Sequence, residues 1–201
     1  MGFNTMVENQ KIKRLLWLIA HNEDQAAYKE LFMLLYYRLK KFAYSILKSN
    51  EETEELVQDF FLLIWEKRNQ LVSIESPRLY FYATVRNLAI TKITQRKKQV
   101  GVAPEDWLVK LNSIYFEPEE LFISEETLKK INQSIEELPP RCRLIFKLIK
   151  EDGLQYREVA ELLNLSVKTI EAQMAIAFRR IGKCMHLEIK SSPIPSKEKK
   201  S

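Results

Sequence analysis

The chain has 201 residues, with 32 Lys and Arg against 27 Asp and Glu, a formal charge of +5 and an isoelectric point near 9.1. That length fits one domain or two small ones, and 46% apolar residues can build a core, which excludes a wholly disordered chain. Four Gly and two Cys exclude sheet-rich folds with many tight turns, Gly-rich phosphate loops, a disulfide framework and a CxxC zinc site.

No run reaches the roughly 18 consecutive apolar residues of a membrane span. The first ten residues lack the basic and apolar parts of a secretory signal, and Met6 stands where a myristoylation pattern needs Ser or Thr. These features together predict a reducing, cytoplasmic compartment.

Nearly every periodic segment reads as helix, so an all-α fold is expected. Ile12, Leu15, Leu16 and Ile19 repeat at i, i+3, i+4, i+7 over residues 9–20. Asp24 is placed to cap a long helix to about Leu47, with Ala27, Leu31, Leu34, Leu35, Phe42 and Ile46 inward. Ser49-Asn50 breaks it, and Glu51, Glu52, Glu54 and Glu55 open the next helix as its dipole prefers. That helix carries Leu56, Val57, Phe60, Phe61, Ile64 and Trp65 and is expected to end near Arg68. Ser76-Pro77 is a cap followed by proline at the first helical position, and the helix runs through Tyr80, Tyr82, Val85, Leu88 and Ile93 to Lys98.

Residues 99–123 hold no sustained period and contain Gly101, Pro104 and Pro118, so they read as a flexible linker. Ser124 then caps a helix with Leu128, Ile131, Ile135 and Leu138 on one stripe. Pro139-Pro140 stops it and opens another, Arg141 to Lys150, with Gly153 at the C-terminal cap. The expectation is therefore two small helical domains, residues 1–98 and 124–186, with a disordered tail over 187–201.

Charge is laid out in blocks. Residues 25–50 net +4, 51–76 net −5, 77–98 net +6 with no acid, and 99–124 net −4. Such alternation predicts separate surfaces for an anionic polymer and for a protein partner, against the plainer reading of solvated helix faces.

The most informative stretch is residues 153–181. A helix burying Val159, Ala160 and Leu163 is followed by the turn Asn164-Leu165-Ser166, with Ser166 capping a second helix. Val167, Ile170, Met174, Ala177 and Ile181 share its inner face, while Lys168, Ala172, Ala175 and Arg179 lie opposite, flanked by Glu171, Gln173 and Ile176. Two alanines at the centre of that face let a helix backbone approach a groove floor, and Lys168, Arg179 and Arg180 reach phosphates on either side. The pattern is that of a helix-turn-helix.

The order and spacing of these segments resemble bacterial RNA polymerase sigma factors of the extracytoplasmic-function group, over about residues 10–98 and 125–183. Ala27-Tyr-Lys-Glu-Leu-Phe32 resembles the opening helix of region 2, and Glu54 to Glu66 resembles its core-binding segment. The resemblance implies that Glu55, Gln58 and Asp59 face the clamp helices of the polymerase largest subunit. Carboxylates and an amide suit that task, because they make directional bonds to Arg and Asn of a partner helix.

Ser76 to Ile90 resembles the promoter-melting segment, although Thr91, Lys92 and Thr94 stand where the family often carries Asp, an aromatic and Arg. By the same resemblance Asn69–Glu75 is the base-capturing loop, with Asn69, Gln70, Ser73 and Glu75 as polar groups and Leu71 or Ile74 as an apolar wall. Tyr80, Tyr82, Arg86 and Asn87 follow as −10 candidates, with Arg96 and Lys97 at the basic end. For each aromatic, burial in the bundle and base stacking both stay open.

Leu138-Pro-Pro-Arg-Cys-Arg143 and Ser166-Val-Lys-Thr-Ile-Glu171 resemble region 4, whose helix-turn-helix reads the −35 element. The implied −35 contacts are Ser166, Lys168, Thr169, Glu171, Ala172, Gln173 and Arg179. Ile176 on the exposed flank fits a thymine methyl, a protein partner or plain exposure. The implied partners are core RNA polymerase, promoter DNA and an anti-sigma factor, with no cofactor, metal or small-molecule substrate. Acids in the linker are placed to mimic RNA phosphates.

Two other classes compete. A dimeric repressor on a palindrome would use the helix-turn-helix but leave residues 51–98 idle, and an anti-sigma or adaptor protein would not read DNA. Enzyme chemistry has no visible home: His21 and His186 stand apart, and Cys142 and Cys184 have no clustered His.

Overall fold

The computed structural model describes residues 2–100 and 125–184, and among these every regular element is a helix. The first lobe holds α1 (Gly2–Asn22), α2 (Gln25–Leu47), α3 (Asn50–Glu66), the short α4 (Arg68–Leu71) and α5 (Pro77–Val100). The second holds α6 (Glu125–Glu136), α7 (Pro140–Lys150), α8 (Tyr156–Leu163) and α9 (Val167–Cys184). Of the linker expected over 99–123, residues 99 and 100 continue α5, while residues 101–123, the Ser124 cap, the Leu128 side chain and the tail lie outside the described residues. Side chains are described for residues 8–96 and 131–183.

Local chemistry explains the breaks between helices. The Asp24 carboxylate accepts from the Ala26 and Ala27 amides at 2.9 and 3.0 Å, satisfying donors that the first turn of α2 leaves open. At the other end Lys48 takes the left-handed conformation, φ 59°, and its amide donates to the Tyr44 carbonyl. Ser49 then caps α3 by accepting from the Glu52 amide. Replacing Asp24 by alanine is expected to lower stability by about 1 kcal/mol, read as a melting temperature lower by about 2–4 °C. An unchanged melting curve would mean that the cap contributes nothing.

Ile12, Leu15, Leu16 and Ile19 of α1 are all buried, as their spacing predicts. They pack with Leu31, Leu35 and Leu39 of α2, Leu56, Phe60 and Ile64 of α3, and Phe81, Tyr82 and Val85 of α5. The edge-to-face contact of Phe60 on Phe81 at 5.7 Å holds α3 against α5, and Phe61 meets Phe60 edge-on at 5.2 Å within α3. In the second lobe Leu138, Cys142, Ile145, Val159, Leu163, Ile170, Met174 and Ala177 form the corresponding apolar centre. Glu136 of α6 clasps α7 through Arg143 at 2.6 Å and Lys147 at 2.7 Å.

The structure departs from the sequence expectations in several places. The third helix stops at Glu66 and a separate four-residue turn of helix, α4, follows. Leu71, expected as a pocket wall, is a core residue, because α4 turns it under α1. Tyr82 is likewise buried, which removes it from the base-stacking candidates. Val167 is 37% exposed rather than inward, since it precedes the first complete turn of α9.

Candidate nucleic-acid and protein interfaces

The helix-turn-helix is built as its caps dictate. Glu158 accepts from the Gln155 amide at 2.7 Å, closing the first turn of α8. Asn164 takes φ 53°, a left-handed conformation that asparagine tolerates, and the Leu165 amide donates back to the Ala160 carbonyl at 2.8 Å. Ser166 accepts from the Thr169 amide at 3.0 Å and its hydroxyl meets that of Thr169 at 2.8 Å. The Ser166 hydroxyl therefore caps α9, and Thr169 is half-buried beside it.

Burial of Ile170, Met174 and Ala177 turns the opposite face of α9 outward. Lys168, Glu171, Ala172, Ala175 and Arg179 are exposed, and Gln173 and Ile176 are half-exposed on its flanks. The face has cations at both ends and methyl groups between, the shape that a major groove admits. Cys142 lies on the inner side, its thiol donating to the Gln173 carbonyl at 3.2 Å. Burial pushes its pKa up, which keeps it in the unreactive thiol form.

On α3 the buried stripe of Thr53, Leu56, Val57, Phe60 and Phe61 leaves Glu54, Glu55, Gln58, Asp59 and Leu62 outward. Part of that acidic face is already engaged within the lobe. Glu55 pairs with Lys92 of α5 at 2.8 Å, Glu52 with Arg96 at 3.5 Å, and Glu54 with Lys40 of α2 at 2.7 Å. The −5 and +6 blocks thus face one another across α3 and α5 and partly cancel, so they are not the two wholly separate surfaces that their order suggested.

Asn69 and Gln70 lie on α4 and are exposed, and the exposed Ser73 donates to the Gln70 carbonyl at 3.0 Å. Tyr80 is half-buried against Phe81. Asn87 is exposed and accepts from Arg86, whose Nη1 also donates to the Leu162 carbonyl of α8. Arg96 is exposed, and the Lys97 side chain lies outside the described residues.

Sequence reasoning missed Arg78 altogether. It is only 2% exposed, donates from Nη1 to the Asp152 carbonyl at 2.8 Å, and sets Nη2 3.1 Å from Glu8. Its partners come from α1 and from the α7–α8 turn, far away in the chain, and no local pattern announces them.

These two helical lobes, the second displaying a helix-turn-helix, define a protein of the helix-turn-helix class. Comparison with known proteins gives the family. The family model for Sigma-70 region 2 matches residues 31–99 and that for Sigma-70, region 4 matches residues 128–181, together more than half of the chain. The chain belongs to the sigma-70 family of RNA polymerase sigma factors, in its extracytoplasmic-function group, and serves promoter-specific transcription initiation with RNA polymerase.

It is similar to the ECF RNA polymerase sigma factor SigK of Mycobacterium tuberculosis, 23% identical over 169 residues, covering 81% of this chain and 87% of that protein. It is also similar to the ECF sigma factor RpoE of Cereibacter sphaeroides, 25% identical over 174 residues and covering 85% and 93%. Among solved structures, the sigma factor RpoE in complex with the anti-sigma factor NepR from Bartonella quintana shares the fold, with TM-score 0.50, 21% identity and coverage of 80% and 98%.

No described helix is long and apolar enough to cross a membrane, and the described residues contain no group of three His, Cys, Asp or Glu that could hold a metal.

Proposed function

We propose that the chain divides promoter recognition between its lobes. Residues 1–98 dock on core RNA polymerase through Glu55, Gln58 and Asp59. The same lobe captures the unwound −10 strand with Asn69, Gln70 and Ser73 around α4 and with Tyr80, Arg86, Asn87, Arg96 and Lys97 along α5. Residues 99–123 link it to residues 124–186, which hold the −35 duplex through Ser166, Lys168, Thr169, Glu171, Ala172, Gln173 and Arg179. The protein acts in the cytoplasm as a binding factor without catalysis of its own. An anti-sigma factor that covers both lobes is its expected antagonist.

The observation that carries this reading is the outward face of α9, with alanines between the cations Lys168 and Arg179. Ser166 is left mainly a capping role by its bond to the Thr169 amide. Glu55 shares its carboxylate with Lys92, which leaves Gln58 and Asp59 as the stronger core contacts.

The test is in-vitro transcription and footprinting with purified core polymerase. Core-dependent start sites are expected; binding to a palindromic duplex without core would instead favour a dimeric repressor. Replacing Lys168 or Arg179 by alanine should weaken −35 binding on all sequences alike. Each change should also reduce the slope of log K against log salt by about one. A slope unchanged in both variants would remove these residues from the phosphate contacts.

A further inference from the structure

Steps of three and four residues along α9 place Lys168, Ala172, Ala175, Ile176 and Arg179 on one outward strip. Ile176 is half-exposed and the other four are exposed. Glu171 and Gln173 stand to either side of that strip, and the Gln173 carbonyl accepts from the Cys142 thiol on the inner side. Among the described residues neither Lys168 nor Arg179 makes a hydrogen bond or an ion pair within the protein. Both cations are therefore available to the phosphates that flank a groove. The hydroxyls at the start of α9 are committed, because those of Ser166 and Thr169 meet one another at 2.8 Å at the cap.

The middle of the strip thus offers alkyl groups and no donor or acceptor side chain. Ala172 and Ala175 end at Cβ, so they let the helix approach without reaching far themselves. Ile176 reaches beyond them, and its inner side packs against the buried core. A β-branched side chain on a helix keeps one strongly preferred rotamer, so Ile176 holds its outer methyl in a fixed place.

The floor of the major groove presents polar atoms at every base pair, and its apolar group is the C5-methyl of thymine. An alkyl side chain set against the N4 amino group of cytosine or the O6 of guanine strips water from a polar atom and returns no hydrogen bond. Set against thymine, it covers methyl with methyl. Resting on the assignment of α9 to the −35 duplex, we propose that Ile176 is a specificity-determining residue that reads thymine by its C5-methyl group. The −35 element of this chain therefore holds a thymine, on one strand or the other, at the step that Ile176 faces. Lys168 and Arg179 set the register on the phosphates and leave the choice of base at that step to the alkyl group.

The test uses holoenzyme assembled from core polymerase and the full chain. Random-sequence duplexes of promoter length are enriched by binding to it, and footprinting locates the −35 segment. The selected duplex is then remade with each thymidine in turn replaced by deoxyuridine, which keeps every hydrogen-bonding group and loses only the methyl. Wild type should bind one such uracil duplex about threefold to tenfold more weakly than the thymine duplex, the range expected of one methyl contact. Ile176→Ala should bind the two duplexes alike, at the level of wild type on uracil. Ile176→Val, which keeps the branch at Cβ, should retain part of the discrimination. The salt dependence of both variants should match wild type, since no phosphate contact is lost.

Equal affinity for thymine and uracil at every step of the −35 segment would overturn the methyl readout and leave the −35 assignment in place. So would discrimination that survives Ile176→Ala undiminished. Failure of holoenzyme to enrich any −35 segment would remove the assignment of α9 itself, and the readout with it.

Discussion

Replacing Asp59 by lysine together with Gln58 by alanine is expected to weaken binding to core RNA polymerase at least about 100-fold without unfolding the chain. The two side chains project from the exposed face of α3, and among the described residues neither makes a hydrogen bond or ion pair within the protein. The helix that presents them is rigid, because Leu56, Phe60 and Ile64 on its other face are completely buried. Little ordering entropy is therefore left for binding to remove. Truncating one partner of a hydrogen-bonded charge pair at an interface costs about 2–5 kcal/mol, and every 1.4 kcal/mol is tenfold in affinity. Placing a cation against the basic surface that such an acidic face would meet adds repulsion.

Glu55→Ala should do less, since Lys92 at 2.8 Å already shares that carboxylate. Fluorescence competition for core, with thermal melts of each variant as the fold control, measures the effect. Binding within threefold of wild type by the double variant would place the core interface elsewhere.

The parts of this molecule that could be read from sequence are those fixed within one or two helical turns. Asp24, Ser49 and Ser166 announce their helices because the donors they satisfy are two or three residues away. The apolar face of α9 is legible for the same reason, as Ile170, Met174 and Ala177 recur at the helical period. The four residues of α4 are too few to show a period, so that turn was hidden and Leu71 was misplaced on a pocket wall.

Charge was legible only as blocks. Its meaning depended on α3 and α5 lying side by side, where Glu52 and Glu55 meet Arg96 and Lys92. The seam between the lobes was the least legible feature. Ser76–Glu158, Arg78–Asp152 and Arg86–Leu162 join residues 74 to 82 positions apart, and none of the six residue types is unusual where it stands. A buried Arg78 at the second position of a helix looks, in sequence, like any solvated arginine.

Closure of the lobes is expected to tighten as pH falls. Burial is the main influence on the Asp152 carboxyl and pushes its pKa up from the ordinary value to about 6; Arg38, the Tyr82 hydroxyl and Arg78 oppose the rise, and Glu151 assists it. When the lobes part, Asp152 returns to water and to an ordinary carboxylate pKa near 3.9. The closed form therefore binds the proton more tightly. The contribution of protonation to closure is full below about pH 4 and is lost as pH rises through about 6.

A two-unit difference corresponds to about 3 kcal/mol, or roughly a hundredfold in the closing equilibrium between those limits. The groups acting on Asp152 are Arg38 from α2, Arg78 and Tyr82 from α5, and Glu151 just after α7, with Glu8 of α1 bonded to both arginines. Of these Glu151 is also raised by burial and acts in the same direction. Scattering or inter-lobe energy transfer between pH 7.5 and 5 should show the radius of gyration shrinking with acid in the wild type. Asp152→Asn should keep only the smaller response of Glu151. A wild-type profile that is flat, or that loosens on acidification, would show that Asp152 is not seated in the closed form in solution.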